Sequence, residues 1–154
     1  MFNPTSPSTP DPSVTLANHP FYPDIDLADF RQRMRVDGVA TKERAEFALE
    51  GAIMEVNRRL QAFVQRQESQ GITRLLDVAE SHGQPAGEKI KLYQRAVYAL
   101  AKANLIERYR DYDSTAKAQG RADQLDENID ELRRDAAWAI NDLVGRPRAT
   151  VGLL

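Results

Sequence analysis

The residue types that most often carry chemistry in proteins are few in this chain and poorly placed to form a site. Its two histidines, His19 and His82, stand far apart in predicted loops, and the chain has no cysteine. A zinc or redox-metal site therefore lacks a ligand set. Asp111 and Asp113 have the spacing that opens a calcium loop, but alanines stand where that loop needs glycine and glutamate. The sequence predicts no metal site and no cofactor, and it leaves helix capping as the role of these aspartates.

Motifs for catalysis are missing as well. The glycines are scattered singly, so no phosphate-binding loop is formed, and no nucleophile motif occurs. The carboxylate pairs Asp126/Asp130 and Glu127/Glu131 are spaced to share the polar side of a helix. Solvated carboxylates there are not tuned for acid–base work. The sequence therefore predicts a protein that is not an enzyme.

Arginines occur in close groups that raise the question of nucleic-acid binding. These groups are Arg31/Arg33/Arg35, Arg58/Arg59, Arg108/Arg110 and Arg133/Arg134. Nearly all of them have acidic residues one helical turn away, and the formal net charge of the chain is −2. The resulting field is too weak to predict sequence-specific recognition. A surface that DNA passes without being read is compatible with this balance.

Length and composition indicate one globular domain. The chain has 154 residues, of which 42% are hydrophobic and 29% are charged, values typical of a folded domain with its own core. No apolar run approaches the roughly 20 residues that a membrane span needs, and the N-terminus lacks the features of a secretory signal. We expect no membrane partner, and the absence of cysteine fits a reducing compartment.

The chain divides into an arm, a helical domain and a tail. Residues 1–20 hold five of the eight prolines and are predicted to form a disordered arm. Residues 21–144 are predicted to form the helical domain, and residues 145–154 an extended tail. Only residues 150–154 alternate weakly as a strand would. The fold class predicted is all-α, a small bundle of about four main helices.

The first half of the domain is predicted to hold two helices. Asp26 is expected to cap the first helix, which ends near Gly38. Thr41 caps the second, which Gly71 stops. Phe47 and Met54 fall outside the apolar stripe of this second helix, and we expect the first helix to cover them.

The second half is predicted to hold the central helix. Residues 72–87 form a loop with an apolar knot, which we expect to plug one end of the bundle; the knot consists of Ile72, Leu75, Leu76 and Val78. Glu88–Arg110 is apolar almost all round, as is typical of a helix with neighbours on several sides. A short turn capped by Asp113 or Ser114 and stopped by Gly120 is expected to follow it.

The last predicted helix, residues 121–144, has the clearest pattern. Its core stripe consists of Leu125, Ile129, Leu132, Ala136, Ile140 and Leu143. Trp138, the only tryptophan, points nearly opposite to that stripe. It is either an interface anchor or a side chain covered by the arm or a loop of the same chain. Gly145 and Pro147 end the helix and leave a basic, aliphatic tail that is either frayed or docked on a partner.

Several motifs together resemble a known family. They are F-Y-P-D-I-D at Phe21–Asp26 with Arg33-Met34-Arg35, G-x-T-R-L-x-D-V at Gly71–Val78, E-K-I-K-x-Y-x-R-A-V at Glu88–Val97, E-R-Y-R at Glu107–Arg110, and the run from Asp113 to Arg148. In this order and spacing the chain resembles the gpL-type head completion, or head stabilisation, proteins of contractile-tailed temperate phages. The resemblance spans about Phe21 to Leu154.

The resemblance implies a structural virion component made in the bacterial host cytoplasm. Such a protein binds the portal protein after DNA packaging, keeps the filled head closed and provides the seat for a downstream neck or tail-completion protein. It implies a head–tail connector whose neighbouring copies form a dodecameric ring, through which genomic DNA passes without sequence recognition. The contacts it implies for portal or subunit binding are Trp138, Arg146, Arg148, Val151 and Leu153.

A second hypothesis from another class stays open at this point. A small helical regulatory protein that binds a protein partner or nucleic acid would show the same composition and helices. The tail discriminates the two hypotheses, because a connector needs residues 145–154 to bind whereas a free regulator does not.

Overall fold

The computed structural model describes residues 13–36, 40–112 and 116–148, and for residues 109–112 and 116–127 it describes the backbone only. Helices dominate this part of the chain, which confirms the all-α prediction. The helices are α1 (Leu27–Met34), α2 (Lys42–Arg59), α3 (Gln61–Ser69), α4 (Glu88–Tyr112) and α5 (Ala116–Val144), with a 3-10 turn at Leu75–Asp77. Two short strands, β1 (Thr15–Leu16) and β2 (Ile25–Asp26), precede them.

The segment before α1 is ordered, contrary to the prediction of disorder up to residue 20. β1 and β2 pair antiparallel, with Leu16 opposite Ile25, and the N–H of Leu27 donates to the carbonyl of Val14 over 3.0 Å. Leu16 is only 7% exposed. Strands of two residues are too short to show alternation, so only long-range packing reveals them. Residues 1–12 of the predicted arm lie outside the described residues.

Both predicted N-caps are confirmed. The carboxylate of Asp26 accepts from the N–H groups of Ala28 and Asp29 at the start of α1, and the Thr41 hydroxyl accepts from the N–H of Arg44 at the start of α2. Helix α1 ends at Met34, and Arg35 adopts the left-handed conformation with φ 52°. The predicted end at Gly38 was therefore four residues too late, and Gly38 itself lies outside the described residues.

The second predicted helix is two helices joined end to end. Leu60 departs from helical geometry, with φ −92° and ψ 0°, although helical hydrogen bonds continue on both sides of it. The predicted stop at Gly71 is confirmed, because Gly71 has φ 81°. The N–H groups of Gly71 and Ile72 there donate back to the carbonyls of Glu68 and Gln67, as in a Schellman motif.

Phe47 and Met54 contradict the expectation that α1 covers them. They are 58% and 62% exposed, so both lie on the solvent side of α2. The first helix ends at Met34, which leaves eight residues of cover for an eighteen-residue neighbour. Two large apolar side chains therefore face outward on one helix.

Helix α4 is the centre of the bundle, as predicted. Its buried side chains point in several directions and include Tyr93, Ala96, Val97, Tyr98, Leu100 and Ile106. It packs against α1, α2, α5 and the 3-10 turn. In that turn region Leu75 and Val78 are buried while Leu76 is 62% exposed, so part of the predicted apolar knot joins the core.

Helix α5 follows the predicted stripe but begins earlier than predicted. The buried members of the stripe are Ile129, Ala136, Ile140 and Leu143. The side chain of Leu125 lies outside the described part of the chain. The helix runs without interruption from Ala116 through Gly120. The prediction of a separate turn stopped by Gly120 was therefore wrong. A single glycine inside a helix costs only about 1 kcal/mol, which packing along α4 can offset. The predicted cap at Asp113 or Ser114 lies outside the described residues.

Candidate functional site

The end of α5 is fixed at a definite point by three hydrogen bonds. Gly145, with φ 79°, lets its own N–H and that of Arg146 donate to the carbonyls of Asp142 and Asn141. The ammonium of Lys89 donates to the Leu143 carbonyl over 2.9 Å. Lys89 is buried, and its positive charge stands at the negative end of the α5 dipole. The chain therefore leaves α5 from a well-defined place, as the Gly145 stop predicts.

The side chain of Trp138 is half-buried, and two guanidinium groups lie over its rings. The Cζ atoms of Arg134 and Arg148 are each 4.8 Å from the centroid of a Trp138 ring. Arg148 also donates from Nε and Nη2 to the two Asp142 oxygens, over 3.3 and 2.7 Å. This hydrogen bonding holds the pKa of the Arg148 guanidinium above its usual range. We call Trp138, Asp142 and Arg148 the clasp, because they hold the first residues after α5 against that helix.

The clasp changes the expectation of an extended tail for its first residues. Residues 146–148 lie back along the end of α5 instead of pointing away from it. Cover of Trp138 by a loop or arm was one expectation; the cations that lie over its ring are Arg134 and Arg148. Arg146 is exposed. The other two predicted contact residues, Val151 and Leu153, lie outside the described residues.

A groove of about 810 Å³ opens beside the clasp, between α1, α4, α5 and the loop before α4. Its apolar lining consists of Met34, Leu92, Tyr98, Ala99, Leu132, Trp138 and Ala139. Its charged lining consists of Arg33, Glu88, Lys91, Arg95, Asp135, Asp142 and Arg148. An apolar floor with a charged rim suits the docking of a protein segment. No group of three or more metal-ligating side chains occurs among the described residues.

A closed ring of hydrogen bonds ties the N-terminal segment to the two main helices. Asn18 donates to the Tyr93 hydroxyl over 2.7 Å, Tyr93 donates to Asn57 over 2.7 Å, and Asn57 donates back to Asn18 over 2.9 Å. Burial raises the pKa of Tyr93 to about 12. Tyr22 stacks on Tyr93 with ring centroids 4.5 Å apart. This triad was missed from the sequence, because no pattern links three residues so far apart.

A second, partly buried contact joins α1 to α4. The Tyr98 hydroxyl donates to Asp29 over 2.6 Å, and Arg33 donates to the other Asp29 oxygen over 2.7 Å. Burial acts to raise the pKa of Asp29, but the hydrogen bonds from Tyr98 and Arg33 outweigh it, so the pKa falls below the usual range. Both contacts position helices and neither provides a reacting group.

Several arginines of the close groups pair with acidic residues. Arg58 and Arg59 both pair with Glu55, and Arg133 pairs with Glu107. Arg108 instead lies over the ring of Phe47, 4.9 Å from its centroid. In the described part of the chain, none of the helices combines the length and apolarity that crossing a bilayer requires.

These features describe a helical protein with an exposed groove beside the clasp, and comparison with known proteins gives its class. The family model of phage head completion proteins (GPL) matches residues 16–154. The chain belongs to this family and is a structural component of the phage particle. It is 39% identical over 131 residues to the head completion/stabilization protein of Escherichia phage P2, an alignment covering 85% of this chain and 78% of that relative. No solved structure matches the chain.

Proposed function

We propose that the protein completes the head by binding the portal vertex once DNA is packaged. There it keeps the filled head closed and provides the seat for the neck and tail-completion proteins. Membership of the head completion family carries this proposal, because completion of a filled head requires closure of the opening through which DNA entered.

The surface proposed to meet the portal is the end of α5 with the tail that follows. Trp138 is a half-buried aromatic at a groove, and Arg146 and Arg148 are exposed. Tryptophan and arginine are the residues most enriched among interface hot spots. Val151 and Leu153 would add apolar contacts. The clasp supports this proposal, because it presents the tail from one defined point on the bundle.

Neighbouring copies are proposed to form a dodecameric ring on the portal, and DNA would pass through it unread. The ion pairs of Arg58, Arg59 and Arg133 support passage without sequence recognition. Arginines held by carboxylates offer fewer donors to phosphates or base edges.

Negative-stain imaging of portal rings mixed with two forms of the protein tests the proposal. Full-length protein is expected to add a ring of density to the portal, and a chain truncated after Val144 is expected to add none. Equal binding of both forms would move the contact to the helices. Failure of both folded forms to bind would refute portal binding.

Point variants make the same test less drastic. Arg146→Ala is expected to weaken portal binding by about tenfold, in the range for one hot-spot side chain. Arg66→Ala is the matched control, because Arg66 is also exposed but lies at the end of α3. Equal loss from both variants would show that general charge, and not the tail, drives binding.

A further inference from the structure

Helix α2 carries an exposed stripe whose carboxylates have no ion-pair partner within the described chain. Glu43, Phe47, Glu50 and Met54 recur at steps of four, three and four, so they share one helix face. All four are exposed. We call this face the acidic–apolar stripe. Glu43 and Glu50 make no ion pair in the described residues, and the guanidinium of Arg108 lies over the Phe47 ring, 4.9 Å from its centroid.

Large apolar side chains gathered on one exposed face usually mark an interaction site. The flanking charges narrow the choice of partner. Arg58 is already paired with Glu55, and Arg44 also has an interaction of its own. The carboxylates of Glu43 and Glu50 remain available, so the stripe would accept an apolar surface that carries cations.

The groove beside the clasp has this complementary character. Among its charged lining residues, Arg33 pairs with Asp29 and Arg148 with Asp142. Asp135 lies close enough to Arg148 to act on it electrostatically, and Glu88 accepts from the N–H of Ser81.

Two of the cations that line the groove remain available to a partner. Lys91 and Arg95 stand one turn apart on α4 and have no acidic partner in the described residues. They flank Leu92, which belongs to the apolar floor. The groove thus offers an apolar floor with two available cations, and the stripe offers two apolar side chains with two available carboxylates.

We infer that the acidic–apolar stripe of one copy docks in the groove of the next copy. Every copy carries both surfaces, and in the described chain no residue of α2 lines the groove. One surface therefore meets a different surface on the neighbour, which is a head-to-tail contact that closes into a ring if the rotation permits. The contact itself does not depend on the portal. Only its role in a portal-bound ring rests on the proposed function.

Disulfide trapping tests this contact in the full chain, which has no native cysteine. Gly51→Cys places a thiol beside the stripe, where an added Cβ meets no atom within 4 Å. Gln94→Cys places one in the groove and leaves Lys91 and Arg95 intact. Mixing the two variants under oxidation is expected to give about tenfold more disulfide dimer than mixing Gly51→Cys with the control Ser69→Cys, because docking raises the effective thiol concentration.

Charge reversal supplies the second arm of the test. Glu43→Lys with Glu50→Lys in the Gly51→Cys chain is expected to lower trapping about tenfold through like-charge juxtaposition. Lys91→Glu with Arg95→Glu in the Gln94→Cys chain is expected to restore it. Each variant is checked by circular dichroism, so that loss of folding is separated from loss of contact.

Three results would overturn the inference. Trapping no better than the Ser69→Cys control at any concentration would exclude the contact. Preferential formation of Gly51→Cys homodimers would show that α2 meets α2 instead. An increase in trapping that appears only after removal of residues 149–154 would assign the groove to the tail of the same chain. Portal binding without trapping would leave the proposed function standing and refute the contact between copies. Trapping without portal binding would support that contact and refute the proposed function.

Discussion

Two junctions in this molecule are held together by polar and aromatic side chains, and they are built in opposite ways. The triad of Asn18, Tyr93 and Asn57 is a closed hydrogen-bond ring around a fully buried tyrosine. The clasp of Trp138, Asp142 and Arg148 is an ion pair and a stacked aromatic at the surface. A buried polar ring leaves unpaired groups when it is broken, whereas water replaces the contacts of an exposed clasp. The first therefore fixes the fold, and the second is free to exchange partners.

The largest effect is expected from Tyr93→Phe, which removes the centre of the buried triad. Asn18 and Asn57, both half-buried, would each lose a hydrogen-bond partner. Loss of about 1–3 kcal/mol of unfolding free energy follows from leaving such groups unpaired. Urea unfolding followed by circular dichroism measures it, with Tyr98→Phe as the matched variant. A change near zero would show that water enters the site and that the triad does not fix the fold.

Tyr93 also makes the stability of the parent protein depend on pH in the alkaline range. The pKa of Tyr93 is raised from 10.0 to about 12, so the folded state favours the neutral phenol. That stability is fully present below pH 10 and is lost as the pH rises through 12. The difference between the parent and Tyr93→Phe should therefore shrink over this window. A constant difference would mean that another group dominates.

A smaller effect is expected from Tyr98→Phe at the junction of α1 and α4. Asp29 is about one-third exposed, so screening by water reduces its hydrogen bond to about 1 kcal/mol. Because the Asp29 pKa is lowered in the fold, this stability is present above the ordinary value of 3.8 and lost as the pH falls through the folded value. The difference in urea midpoint between the parent and Tyr98→Phe should therefore be smaller at acidic pH than at neutral pH. A difference that grows as the pH falls would contradict this prediction.

The clasp is expected to matter least for stability. Asp142→Asn should leave the urea midpoint unchanged while altering the fluorescence of Trp138, the only tryptophan, because Arg148 is no longer held over its ring. Added salt should change the parent spectrum in the same direction, since an exposed ion pair is screened. A large drop in the midpoint would show that the clasp is part of the fold and would remove the contrast with the triad.

A second comparison sets the exposed face of α2 against the buried face of the same helix. Met54→Ser is expected to change the unfolding free energy by no more than about 0.5 kcal/mol, as is usual for exposed positions. Leu49→Ser on the buried face of the same helix is the control and should be strongly destabilising. Comparable losses from both variants would show that Met54 is covered in solution.

Much of the fold could be predicted from local rules. The caps at Asp26 and Thr41, the stop at Gly71 and the bounds of α4 to within two residues followed from side-chain chemistry that acts within one turn. The central place of α4 followed from apolar residues on all its sides. The early end of α1, the order of residues 13–20 and the continuation of α5 through Gly120 could not be predicted, because each depends on contacts with distant segments.

The candidate site divides in the same way. The sequence determined by itself that Trp138 lies off the core stripe, that α5 ends at Gly145 and that the chain resembles head completion proteins, since periodicity, backbone conformation and motif order are all local or linear properties. Only the tertiary structure decided that Arg148 turns back onto Trp138 and Asp142, that a groove opens beside them, and that Phe47 and Met54 face outward. Those features depend on how helices far apart in sequence pack together, and packing is set by the whole core and not by any one segment.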